Sequence, residues 1–391
     1  MSDRSGVVPG AAGGARRRRI FVAAKRVGLS LMQPVASVII ATVIGGVVMA
    51  AFGFDPFSGY AGLFRYAFLS EFNFTVTVLN SIPLIFTGLA VAFAFRCGLF
   101  NIGAEGQLMV GSLFAGWLGT LISLPMVITV PLLLIVGAVT GALWALLPGI
   151  LKATTGAHEV ITTMMMSWIG LYLTSYLVKN VLMDPRTTLP ASNLISEQAR
   201  LLTLNRVLPF LFRSPTRLHL GVVLAVLAAV FIWYLLTRTS LGFEVRAVGS
   251  NPFAAEAGGV SVRRNVIVAL LISGALAGLG GTVEVMGLHY RVYDHFSAGY
   301  GFTGITVALL AKNHPLGVIP AALLFGALTN GGAGMQLKAG IPIDIVDVLS
   351  GVIIFLVAAE ELFNALKRRQ EKRSLLSRSM GGAEIDGRSE A

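Results

Sequence analysis

Apolar residues along this chain collect into long runs, and most charged residues fall in the gaps between them. Uncharged runs cover residues 27–54, 72–95, 106–151, 160–178, 218–237, 265–283, 295–311 and 313–337, and a last run, 341–366, carries acids only near its ends. A helix that crosses a bilayer needs roughly 20 predominantly apolar residues. The run 106–151 is long enough for two crossings, broken at Pro125 or Pro131. The pattern predicts an all-α polytopic membrane protein with about ten transmembrane helices, some short or broken. Residues 295–311 form the shortest of them.

Composition agrees: 55% hydrophobic and 13% charged residues, with a mean hydropathy of +0.78, lie far outside the soluble range. The single cysteine, Cys97, excludes an internal disulfide framework and a CxxC redox site, and reads as a small packing residue. A basic block, Arg16 to Arg19 with Lys25 and Arg26, precedes an apolar run too long for a signal-peptide core and without a small-residue cleavage site. Residues 1–26 are therefore expected to be a cytoplasmic tail, 27–366 the transmembrane domain, and 367–391 a second cytoplasmic tail. The stretches 1–15 and 374–391 are polar or rich in small residues, as disordered tails are.

The net charge of +11 raises nucleic acid as a partner. The basic residues, however, flank the apolar runs and fill the tails, where membrane orientation and anionic lipid account for them. With the first basic block inside, Arg96, Lys152, Arg238 with Arg246, Arg263 and Arg264, Lys312 and the cluster after Leu366 all fall on the cytoplasmic side, and both termini are inside. One outer loop, 181–217, resists: Arg186, Arg200, Arg206, Arg213 and Arg217 face only Asp184 and Glu197. Either the crossing pattern differs there or these cations have an acidic partner outside.

Several chemistries are missing. No GxxxxGK[ST] phosphate loop and no GxSxG elbow occurs, and "HEVIT" has Thr162 where the second zinc-ligating histidine of HExxH belongs. An enzyme is not indicated, no catalytic residue, metal or cofactor of its own is expected, and transport becomes the leading class. The inner loop 238–264 contains a short helix candidate, with Asn251 as cap, Pro252 in the first turn and Gly258-Gly259 as stop. Such a helix suits docking to a cytosolic partner; an ordinary structured loop is the plainer reading.

These residues resemble the permease subunits of ABC importers of the ribose and branched-chain amino acid type, most closely the nucleoside (simple sugar) permeases that work with basic-membrane-protein-like lipoprotein receptors. The motifs are "GLFNIGAEGQL", "LKATTGAHEVITTMM", "LNRVLP", "RTSLGFEVRAVGSNPFAAEAGG", "SGALAGLGGTVEVMG" and "GYGFTGITVALLAKNHPLG", in that order from about Phe72 to Phe363. The resemblance implies a bacterial inner-membrane assembly: two permease chains, homologous or identical, a separate cytosolic ATPase that binds ATP and Mg, and an external substrate-binding lipoprotein. It places Glu244, Arg246, Asn251, Ala254, Ala255 and Gly258 in a coupling loop seated on the ATPase. It also supplies a partner for the outer cations, an acidic lip of the receptor meeting Arg206, Arg213 and Arg217. The chain departs from the family at Ser167, where Asn is frequent, and at Ala311-Lys312, where Gly-Arg is frequent.

The polar residues of the first motif are the main pathway candidates. Asn101, Glu105 and Gln107, with Gly98, Gly103 and Gly106 between them, would break a helix and expose backbone groups that membranes tolerate only beside protein or a watery cavity. Ser167 and Glu284 join them as candidates. The plainer alternatives are that Glu105 pairs with Arg96 or caps a helix, and that Glu284 and His289 are interfacial. Uncharged hydrogen-bonding groups suit a neutral, hydroxyl-rich cargo better than an ion, and the resemblance implies a nucleoside as the expected substrate, with simple sugars or another polar solute next. The competing class is a proton- or sodium-coupled carrier using Glu105, Glu159 or Glu284.

Overall fold

In a computed structural model, the structure describes residues 35–207, 215–357 and 359. They fall into two compact units, residues 49–350 and a smaller one from the two ends of the chain. Among the described residues there is no sheet, only isolated bridges. The tails that the sequence assigns to 1–26 and 367–391 lie outside the described residues, as does Arg213.

The helices are α1 (Val35–Ala51), α2 (Pro56–Phe68), α3 (Glu71–Arg96), α4 (Ala104–Leu121), α5 (Met126–Thr155), α6 (Glu159–Asn180), α7 (Leu204–Val207), α8 (Gly221–Arg238), α9 (Ser240–Ser250), α10 (Pro252–Ala257), α11 (Val262–Glu284), α12 (Tyr300–Leu310), α13 (Pro315–Ala339) and α14 (344–357). Among the described residues six are long and apolar enough to cross a membrane: α3, α5, α6, α8, α11 with the turn that prolongs it, and α13. The chain is an all-α polytopic membrane protein. The expected crossing at 106–151 is split at Pro125, which stands as the N-cap residue of α5, while Pro131 is carried inside that helix.

Side chains at the helix ends explain where the runs become helices. Asp55 accepts hydrogen bonds from the Phe57 and Ser58 amides ahead of Pro56, Ser70 caps α3 through Asn73, and Ser261 caps α11 through Arg264. At the other ends, Gly156 and Gly340 take the left-handed conformation that stops α5 and α13. Helix α2 was not expected from the apolar pattern. It packs on α3 and α13.

Helix α12 is the short one, as expected. Its 11 residues span about 16 Å, roughly half the hydrocarbon thickness. It is too short to cross a bilayer by itself.

The core of the larger unit lies around α3, α4 and α11. Helix α5 meets α11 over the most extensive contact in the structure, and two sequence repeats of small residues make it possible. Gly137 and Gly141 on α5 face Gly274 and Gly278 on α11. A Cβ at Gly274 would fall 2.5 Å from the Gly141 carbonyl oxygen, and one at Gly278 would strike the Gly137 carbonyl. Gly111 of α4 closes on the same point, where a Cβ on it would fall 2.5 Å from the Gly278 Cα. In lipid, where apolar surface alone does not drive association, such backbone contact supplies the packing. Gly278→Leu is expected to cost about 1–3 kcal/mol; a thermal melt of the detergent-solubilised protein that does not fall would refute this crossing.

Candidate functional site

Helix α3 ends at Arg96, and Gly98, with φ 76°, turns the chain back on itself. Residues 99–103 are not helical, and α4 starts at Ala104. This is the break that the sequence suggested. Its polar groups are paired with one another and with four neighbouring helices.

Asn101, fully buried, uses all of its amide. Its Nδ2 donates to Gln107 Oε1 at 3.0 Å and to Ser273 Oγ at 2.8 Å, and its Oδ1 accepts from the Gly103 amide at 2.8 Å and from Gln107 Nε2 at 3.2 Å. Ser273 in turn donates to the Ala90 carbonyl at 2.6 Å, which ties the break to both α11 and α3. Two hydroxyls of α6 complete the arrangement. Thr163 accepts from the Ile102 amide, while Ser167 accepts from the Gly106 amide and donates to the Ile102 carbonyl, each at 3.2 Å.

Those bonds answer a need that every helix start has, because the first amides of α4 lack partners within the helix and Gly103 has no capping side chain. Ser167 caps α4 from across the bundle. The residue that departs from the family pattern is thus engaged with backbone and is buried.

Glu105 is also buried, at 1% exposure, and its partner is a second helix start. Its Oε2 accepts from the Gly301 amide at 2.6 Å, and Ser297 and the Gly299 amide bond to the same carboxylate. Helices α4 and α12 abut end to end, so closely that a Cβ at Gly301 would meet the Glu105 backbone. Both ends carry partial positive charge, and the carboxylate lies where it favours both. Of the two plainer alternatives for Glu105, pairing with Arg96 is excluded. The Arg96 guanidinium donates to the Asn313 carbonyl at 2.9 Å, beyond the other end of α12.

The remaining acids differ. Glu159 pairs with Lys152 at 2.8 Å, near the turn between α5 and α6. Glu284 closes α11, 2% exposed, and its Oε2 has no hydrogen-bond partner among the described residues.

In the loop between α8 and α11, Asn251 caps α10 as the sequence suggested, accepting from the Phe253 and Ala254 amides. Two of the six coupling candidates turn inward. Glu244 accepts from Asn265 Nδ2 at 3.0 Å, and Ala255 is only 6% exposed, with its carbonyl bonded by the Val260 amide. The small side chain of Ala255 is therefore explained by packing within this chain. Arg246, Asn251, Ala254 and Gly258 face outward, and beside them stands Phe253, 82% exposed, a residue the sequence reading passed over.

The described parts of the loop, 181–207 and 215–217, carry bridges from Met183 to Ser192, Ala191 to Tyr293 and Thr203 to His219. Arg186 is paired with Asp184 at 3.0 Å, and hydrogen bonds from the Arg186 side chain and amide hold that carboxyl below its ordinary pKa. Arg200 lies over the Tyr290 ring, 4.9 Å from its centroid, at a cavity of about 220 Å³ that Glu197 and Arg206 also line. Arg206 and Arg217 are exposed.

Residues 73–358 match the family of the branched-chain amino acid transport system permease component. A guanosine ABC transporter permease protein of Bacillus subtilis is 42% identical over 332 residues, 84% of this chain and 93% of that one. A nucleoside ABC transporter permease protein of Lactococcus lactis is 38% identical over 86% of this chain and 93% of its own length. A glucose ABC transporter permease protein of Haloferax volcanii is 36% identical, with 86% and 89% covered. No solved structure matches the chain.

Proposed function

We propose, because this chain belongs to the permease component family of branched-chain amino acid transport systems, that it is the membrane subunit of an ATP-driven importer and that its cargo is a nucleoside. The observation that carries the cargo is the 42% identity to a guanosine permease over most of both chains. A simple sugar is the second reading, supported by the 36% identity to a glucose permease.

In this proposal the pathway runs beside the junction of α4 and α12. Asn101, Gln107, Ser167 and Glu105 hold two helix ends inside the membrane layer, and Glu284 is the polar group left free for a passing solute. Half-helices that meet within a bilayer place backbone dipoles where a polar solute is handled. The chain works with a cytosolic ATPase, which binds ATP and Mg, a second permease chain and an external lipoprotein. The ATPase seats on the outward face of α9 and α10 around Phe253 and Arg246. The lipoprotein brings acidic side chains to Arg206, Arg213 and Arg217. Both termini are cytoplasmic in the bacterial inner membrane.

Reconstitution with the cognate ATPase and lipoprotein tests this. Guanosine uptake is expected to require ATP, to exceed glucose uptake and to persist when ion gradients are collapsed, while the permease alone hydrolyses no ATP. Uptake that follows the gradient at constant ATP would make the protein a carrier instead.

A further inference from the structure

Three polar side chains around the end of α11 have hydrogen-bonding atoms without a partner among the described residues. Glu284 Oε2 has no partner, and Oε1 lies 3.7 Å from His289 Nε2, beyond hydrogen-bond length. His289 Nε2 is itself buried and unpartnered. His219, fully buried, accepts from the Gly221 amide at Nδ1, 3.1 Å away. A neutral imidazole that accepts at Nδ1 has its proton at Nε2. That donor, too, has no partner.

All three border one irregular turn. Glu284 leads into the π-helical turn Val285–His289, and Tyr290 ends it with φ 57°, a left-handed conformation that a bulky residue rarely takes. Gly287, in the turn, lies against the His219 ring, where a Cβ would collide with the imidazole. Single π-turns inside α-helices are frequent at functional positions. Buried polar atoms left unpaired are costly and uncommon, and three around one turn point to a partner that arrives from outside the chain. Aromatic groups flank the place: Tyr293 and Phe296 stand edge-on to His289, with centroids 5.7 and 5.6 Å away.

We infer that Glu284, His289 and His219 read the hydrogen-bonding edge of a nucleobase, a step that rests on the nucleoside reading above. The Glu284 carboxylate accepts a ring N–H, and an imidazole Nε2–H donates to the carbonyl beside it. Guanine, hypoxanthine and uracil present that pair. Adenine and cytosine instead present a bare ring nitrogen beside an amino group, which sets a lone pair against the carboxylate. The turn is closed over these atoms here, so it opens when a base is read.

The test uses the complete importer in proteoliposomes, with the receptor unchanged, and measures guanosine and adenosine uptake on the same vesicles. Glu284→Gln is expected to lower the guanosine-to-adenosine ratio about tenfold, the scale of one lost hydrogen bond to a charged group. His289→Gln is expected to move the ratio the same way by a smaller factor. Receptor preference and the amount of folded protein cancel from a ratio compared in this way. A ratio unchanged in both variants overturns the base-reading site and leaves nucleoside import standing. Absence of all nucleoside uptake by the parent importer would instead overturn the import reading itself.

Discussion

Phe253→Asp is expected to leave the permease folded and inserted in the membrane while it loses the ATPase subunit. Phe253 is 82% exposed on α10, a helix capped by Asn251 and stopped at Gly258, so its ring is little packed among the described residues. An exposed aromatic on a short, well-capped helix has the properties of an interface anchor, and such anchors are worth about 2–4 kcal/mol when truncated. Aspartate adds the cost of placing a charge in an apolar contact. Affinity for the ATPase should therefore fall by at least about a hundredfold, read by co-purification and by loss of uptake. Full recovery of the ATPase with unchanged uptake would move the docking surface elsewhere. Ala255→Arg is a poorer probe, because Ala255 is buried in its own loop and arginine there would disturb α10 itself.

The difference between Phe253 and Ala255 shows what the sequence carried and what it did not. The helical character of α10 was readable because Asn251-Pro252 and Gly258-Gly259 act locally, within a turn of where they stand. Which face of α10 turns outward depends on α9 and α11, and a helix of six residues is too short to show an apolar stripe. The long runs were readable for a related reason: hydropathy is a property of a segment, and a segment of 20 apolar residues has few alternatives. Helix α2 escaped because Asp55, Arg65 and Glu71 interrupt or bound a stretch of 13 residues, although Asp55-Pro56 is a helix-start signal in its own right. Residues 137–141 and 274–278 could be read as packing motifs, but not as each other's partners.

The break at 98–103 was likewise visible as polar residues among glycines. What satisfies it was not, since Asn101 meets Ser273 across 172 positions, Ile102 meets Thr163 across 61, and Glu105 meets Gly301 across 196. Pairings of that separation leave no local trace. The same holds for Glu284, whose place at the end of an apolar run is plain while its lack of a partner among the described residues is a property of the folded chain.

Glu105→Leu is expected to lose most uptake and to lower thermal stability, whereas Glu105→Gln keeps uptake within about tenfold of the parent. The carboxylate holds the start of α12 through the Gly301 amide, with Ser297 and Gly299 on the same group. Leucine leaves those donors buried and unpaired, at about 1–3 kcal/mol for each amide so exposed. It also removes the charge that favours two abutting helix starts, a further contribution of roughly 0.3–1 kcal/mol. Glutamine retains a carbonyl oxygen that can accept from Gly301 and gives up mainly the charge. An ion-coupled carrier would behave in the opposite way: a carboxylate that loads and unloads a cation fails as an amide, and its loss need not soften the fold. Uptake and melting temperature measured on the same three proteins therefore separate the two roles. A Glu105→Gln protein that melts like the parent yet transports nothing would identify Glu105 as a coupling group and end its reading as the cap of α12.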